Sequence, residues 1–159
     1  MALLIAYATK HGVTEKCAKA LKTSLAGGAD LVNLKDRTPN LSNYDAVILG
    51  ASVYAGMPRK QIKAFVAQHA QVLKQKKLGL FLCCQADGEQ AEKQMDAAFT
   101  PELRREATAQ GVLGNGFHVE TMNFLEKFVI KKISGKAPEE SFTINKDVFD
   151  AFERAFGQA

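Results

Sequence analysis

The chain has 159 residues, 47% hydrophobic and 24% charged, which is the size and balance of one globular domain spanning 1–159 and excludes a two-domain enzyme or a disordered chain. Lys plus Arg number 21 against 17 Asp plus Glu, a net charge of +4 that favours anionic partners; the densest basic stretches, Lys74 to Lys77 and Lys127 to Lys136, have structural explanations, so nucleic acid is not expected. Cys17, Cys83 and Cys84 are odd in number and lack CxxC spacing, which excludes a disulfide framework, disfavours zinc and points to a reducing, cytoplasmic compartment.

In chain order, Ala2 to Ala8 reads as a strand buried on both faces. Val13, Cys17, Leu21 and Leu25 then recur every fourth residue, the stripe of an amphipathic helix that Gly27-Gly28 ends. Asp30 to Leu34 is a second strand and Ala46 to Gly50 a third, after which Pro58 opens a helix with Ile62, Phe65, Val66 and Leu73 as its core face. Leu78 to Cys84 is a fourth strand. Gly88 to Ala109 reads as helical around Met95, Ala98 and Phe99, with a break at Pro101. Gly111 to Val119 is a fifth strand weakened by its glycines. Asn123 to Ser134 is a helix ending at Gly135, and Asn145 caps a last helix carrying Val148, Phe149, Phe152 and Phe156. No apolar run approaches the roughly 20 residues of a membrane span.

Strands alternating with helices imply an α/β fold of three layers, a doubly wound five-stranded parallel sheet. In order 2-1-3-4-5 the winding reverses between the first and third strands, and a ligand lies beyond their carboxyl ends. The loops there are Thr9 to Thr14 and Ala51 to Met57. The first, Thr9-Lys10-His11-Gly12-Val13-Thr14, is a TxxGxT pattern at a helix start, where amides and the helix dipole suit a phosphate and Gly12 allows a conformation that a side chain would obstruct. Thr9 and Thr14 add hydroxyls. The alternative is a plain turn with a threonine cap. There is no GxGxxG after the first strand and no GxxxxGK, so neither a dinucleotide fold nor a Walker loop is expected. In the second loop, Tyr54 between small residues could stack on a flat ring whose edge meets backbone amides, or could be a half-buried rim residue.

Together, TxxGxT and the GASxYxG of Gly50 to Gly56 resemble the phosphate and ring-flanking loops of flavodoxin-like proteins, along essentially the whole chain. The segments Phe65 to Ala70 and Phe128 to Gly135 are similar to the flavodoxin-domain family that includes the menaquinone-dependent protoporphyrinogen dehydrogenases. The resemblance implies non-covalent FMN, its phosphate held by Thr9, Lys10, His11, Gly12, Val13 and Thr14. It implies a ring flanked by Ser52, Val53, Tyr54, Ala55 and Gly56, and met on its other face by Cys84, Gln85, Ala86, Asp87 and Gly88. His11 and Val53 each stand where the family usually has a hydroxyl. Flavodoxins proper are strongly acidic, and a chain at +4 does not fit docking on a basic reductase of the usual kind.

The function this implies is FMN-dependent electron transfer to a redox partner protein or a quinone, with the chemistry in the flavin and no side-chain acid, base or metal. One alternative is a protoporphyrinogen IX dehydrogenase-type enzyme of haem biosynthesis. Another is a flavin-free binding or regulatory module. Cys83 and Cys17 read as core, and Cys84 as the cysteine able to face the flavin. His69 and His118 share no metal-ligand spacing. The lysines of Asn123 to Lys136, interleaved with apolar residues, suggest either a solvated helix face or peripheral contact with an anionic membrane.

Overall fold

The computed structural model describes residues 2–9, 12–25, 28–54, 56–117, 132 and 141–158. The expected helix Asn123–Ser134 lies outside them apart from Lys132, which is exposed. The chain runs β1 (Leu3–Ala8), α1 (Val13–Ser24), β2 (Asp30–Asn33), β3 (Ala46–Tyr54), β4 (Met57–Pro58), α2 (Lys60–Leu73), β5 (Lys77–Cys83), α3 (Gly88–Phe99), α4 (Pro101–Glu106), β6 (Ala109–Phe117), β7 (Ser141–Ile144) and α5 (Lys146–Gln158). A short 3-10 turn, Leu41–Asn43, precedes β3; the Asn40 side chain accepts from the Ser42 amide at its start.

The strands lie in the order β2-β1-β3-β5-β6-β7, with β4 paired to β3 alone. From β2 to β6 all neighbours are parallel, which is the expected winding, and β1 sits at the point where it reverses. The five-strand expectation is too short by two antiparallel additions. Strand β7 closes on β6, Gly114 opposite Ile144, and β4 folds back on the end of β3, Tyr54 opposite Met57. Both depend on pairing with a strand met elsewhere in the chain, which helical and strand periodicity do not report.

Strict alternation along the central strands builds two cores. Leu4, Ala6, Val47, Leu49, Leu80 and Leu82 pack under α2, α3 and α4 with Ile62, Phe65, Met95, Phe99 and Leu103. Ile5, Tyr7, Ile48, Phe81 and Cys83 pack under α1 and α5 with Cys17, Leu21, Phe152 and Phe156. At about 1.5 to 3 kcal/mol for each fully buried large apolar side chain, these two layers dominate the stability of the domain.

Glycines in the sheet mark close approaches. A Cβ on Gly111 would stand 2.6 Å from Val148 of α5, and one on Gly114 would stand 2.8 Å from the Thr143 carbonyl oxygen of β7 and 3.0 Å from Cys17 Sγ. The residues that weaken β6 as a sequence pattern therefore let α5, α1 and β7 approach the strand closely. Pro58 does not open α2, as its helix-favouring position suggested. It is buried in β4, and α2 starts two residues later with Arg59 as its cap residue.

Candidate functional site

Parallel pairing brings the ends of three neighbouring strands to one edge of the sheet. Ala8 pairs with Ala51, and Ser52 with Cys83, so the segments following β1, β3 and β5 emerge side by side at the carboxyl edge. The three segments singled out from sequence thus lie together there. An apolar groove lined by Thr108, Val148 and Phe152 lies at the start of β6, the opposite edge, and has no part in this site.

The first segment turns through Gly12 at φ 83°, a left-handed conformation that glycine adopts without strain. The Gly12 amide donates to Thr9 Oγ1 at 3.0 Å, so the threonine hydroxyl closes the turn from behind. Helix α1 starts here without any side-chain cap, its first backbone bond running from the Lys16 amide to the Gly12 carbonyl at 3.2 Å. Among the described residues no side chain caps this start, and a helix start with a glycine cap residue presents its positive dipole end in a geometry that suits an anion. Lys10 and His11 lie outside the described residues.

Thr14, the other threonine of the pattern, follows in the first turn of α1. It is fully buried, and its hydroxyl lies beside the Cys83 thiol with no hydrogen bond of good geometry to satisfy it. Glu15, in the first turn, accepts from the Tyr7 hydroxyl and pairs with Lys19 at 3.3 Å. Burial, reinforced by the Glu15 carboxylate, pushes the Tyr7 phenol up to about 12.

The second segment is not a loose loop. Strand β3 continues through Ser52, Val53 and Tyr54 and reverses at Gly56, φ 79°, into β4, so that Val53 pairs with Pro58. A two-residue connection ending in glycine is the sequence signal that marks this hairpin. Ser52 Oγ donates to the Ala8 carbonyl at 3.4 Å, and the Arg59 amide donates to the Ser52 carbonyl at 3.2 Å, tying the hairpin to β1 and to the start of α2. Ala55 and the Tyr54 side chain lie outside the described structure.

In the third segment Gln85, Asp87 and Gly88 are exposed and Ala86 is half-buried, while Cys84 is 5% exposed and packs in the α2–α3 core. The Cys84 amide donates to the Gly114 carbonyl at 3.2 Å and its thiol lies 3.5 Å from the Ala86 carbonyl oxygen; burial pushes the thiol pKa up. Asp87 begins α3 without a side-chain cap bond, and Gly88 takes φ 52°. Cys83 points to the other core, its thiol 3.4 Å from that of Cys17, and the neighbouring thiol together with burial holds it well above the ordinary range. Sequence spacing missed this pair because the two residues meet only when α1 packs on β5. Among the described residues there is no cluster able to hold a metal ion, and no helix is long and apolar enough to cross a membrane.

No curated protein matches the chain. Among solved structures, oxidised flavodoxin 2 from Bacillus cereus is 21% identical over 99% of each chain with a TM-score of 0.60. Two-electron reduced flavodoxin from Megasphaera elsdenii is 21% identical over 69% of this chain and 84% of its own, with a TM-score of 0.54. A flavodoxin from Fusobacterium nucleatum bound to flavin mononucleotide is 20% identical at a TM-score of 0.41, and there the chain spans only about half the length of its relative, 52%. The first two likenesses agree with the fold, while the family model for the flavodoxin domain matches residues 4–143, most of the sequence. The chain belongs to the flavodoxin domain family.

Proposed function

We propose that this flavodoxin-domain protein binds FMN non-covalently at the carboxyl edge of its sheet and transfers electrons. The observation that carries the reading is the start of α1 at a left-handed Gly12, side by side with the β3–β4 hairpin and the Cys84–Gly88 segment. The donor set fits the cofactor: the backbone amides of Val13 and Thr14 and the Thr9 hydroxyl suit its phosphate, and the hairpin next to them suits a planar ring.

When bound, FMN supplies the one- and two-electron chemistry. The chain's own residues bind and orient it. Gly12 lets the backbone approach the phosphate, the Thr9 hydroxyl holds the turn, and the Ser52–Gly56 backbone with the Cys84–Gly88 segment sets the polarity around the ring. A tenfold preference for one redox state moves a one-electron potential by about 59 mV, so these two segments are where the potential is tuned.

The test is the visible spectrum of the purified protein before and after adding FMN and removing the excess. A retained flavin spectrum, lost in Gly12→Val with the fold intact by circular dichroism, is the expected result. A parent protein that takes up no FMN refutes the reading and leaves the flavin-free binding module.

A narrower reading is an enzyme that oxidises a porphyrinogen and passes electrons to a quinone. It is favoured by the similarity of Phe65 to Ala70 and Phe128 to Gly135 to that branch of the family and by the basic balance of the chain. Porphyrinogen turnover with a menaquinone analogue separates it from a general carrier. Flotation with anionic liposomes tests the membrane contact proposed for Asn123 to Lys136.

A further inference from the structure

We infer that the surface formed by the β3–β4 hairpin tip and the exposed start of α2 is a docking face for an acidic redox protein. The inference rests on the electron-transfer reading above. Between Asp45 and Asp87 the sequence contains no acidic residue, yet it carries Arg59, Lys60, Lys63, Lys74, Lys76 and Lys77. The charges are not evenly spread. Lys76 donates to the Tyr44 carbonyl oxygen at 2.7 Å and Lys77 lies over the Phe156 ring, so that end of the segment is engaged with the fold. Lys60 and Lys63 are exposed and have no ion-pair partner among the described residues.

Both lysines stand in the first turn of α2, whose first turn holds no acidic residue. The corresponding turns of α1 and α3 carry Glu15 and Glu89. Cations at a helix start oppose the dipole, so α2 breaks a local rule that its neighbours obey. The acids of the adjacent helix do not compensate. Glu92 and Asp96 are bound to Arg104, and Glu89 pairs with Lys93, leaving Asp87 at the start of α3.

Placement makes the patch functional. Helix α2 follows β3, so its start lies at the same sheet edge as the three cofactor segments, and the Arg59 amide is bonded to Ser52 itself. Met57, at 60% exposure the most exposed large apolar side chain among the described residues, sits on the hairpin between them. An exposed methionine followed by two exposed lysines at the adjoining helix start, beside an electron-transfer edge, matches an acidic surface around a small apolar contact. A lipid surface fits less well. The apolar face of α2, Ile62, Phe65, Val66 and Leu73, is buried in the core, so the helix has nothing to insert.

The test uses one redox centre with two charges: cytochrome c in its native basic form and in its succinylated acidic form. FMN-loaded protein, reduced with one equivalent of dithionite, is mixed with each, and two ferric haems take up the two electrons of one reduced flavin. The acidic form should be reduced about tenfold faster at low salt, an advantage that vanishes at high salt. Lys60→Glu with Lys63→Glu should retain flavin, melt no lower than the parent and reverse the preference. Faster reduction of the native form, or a preference untouched by the double reversal, overturns the proposal.

A second arm needs no flavin, so failure to bind FMN leaves the surface testable. Oxidised succinylated cytochrome c, titrated into the flavin-free protein, should shift the NMR amide signals from Gly56 to Lys63. A footprint elsewhere overturns the inference. So does the absence of one when the protein cosediments with phosphatidylglycerol–phosphatidylcholine vesicles through the same lysines, which would assign the face to a membrane.

Discussion

Gly50→Ala tests how tightly the central strands are packed immediately before the hairpin. Gly50 pairs with Phe81 across β3 and β5, and both face the α1–α5 core. A Cβ at Gly50 would lie 2.5 Å from Cε1 and 2.7 Å from Cε2 of the Phe81 ring, and nearer still to Cζ. The ring is fully buried and packs edge-on against Phe152, with centroids 6.5 Å apart, so it has little room to swing away. Overpacking ordinarily costs about 1 to 3 kcal/mol, and a methyl group driven into a ring held from both sides belongs at the upper end, about 3 kcal/mol. Against a total of roughly 5 to 15 kcal/mol the variant still folds. At about 2 to 4 °C per kcal/mol for this size, its melting temperature should fall by roughly 6 to 12 °C.

Urea denaturation followed by circular dichroism measures the cost, and a partner variant isolates its cause. Phe81→Leu alone should cost about 1 to 2 kcal/mol by lost contacts, yet it removes the atoms the new methyl would strike. The double variant should therefore be about 2 kcal/mol more stable than the sum of the singles predicts. A Gly50→Ala cost below about 1 kcal/mol, or strict additivity in the cycle, would show that the ring is not confined as described.

Three further outcomes follow from the same geometry. Because the folded-state pKa of Tyr7 is raised to about 12 from its ordinary 10.0, its contribution to stability is complete below pH 10 and lost as pH rises towards 12; Tyr7→Phe should flatten the urea midpoint across that window, and an unchanged slope would remove Tyr7 as its source. Cys17, Cys83 and Cys84 are all buried, so a thiol reagent should titrate none of them rapidly in the native protein and all of them in urea; rapid native reaction of any one would show that its core opens. Arg104 bridges Glu92 and Asp96, both at 2.6 Å, and also donates to Gln110 at 2.8 Å, linking α3, α4 and β6. With the carboxylates largely in solvent, Arg104→Lys should cost only about 1 kcal/mol and less at high salt, since a single ammonium cannot reproduce the forked contacts.

The layered fold was legible because its causes are local. Val13, Cys17 and Leu21 at helical spacing, and the unbroken apolar run of β3, state which faces are buried whatever lies against them. The turn at Gly12 was legible for the same reason, since a glycine and a helix start are set by neighbours in sequence. Strand β7 carries an alternating Ser141-Phe142-Thr143-Ile144 pattern, and the hairpin a glycine at Gly56, signals that short-range reading could have used.

What no local reading could reach depends on residues distant in the chain. The inward placement of Thr14, the contact of Cys17 with Cys83 and the need for glycine at positions 50 and 114 exist only once α1, β5 and β7 have closed on one another. The same holds for the charge at the site. The lack of acids between Asp45 and Asp87 is plain from the residues in order; which lysines are engaged with the fold and which face solvent beside the hairpin depends on how the helices and strands pack. Periodicity encodes the direction in which a side chain points, whereas a partner is specified only by the path of the whole chain.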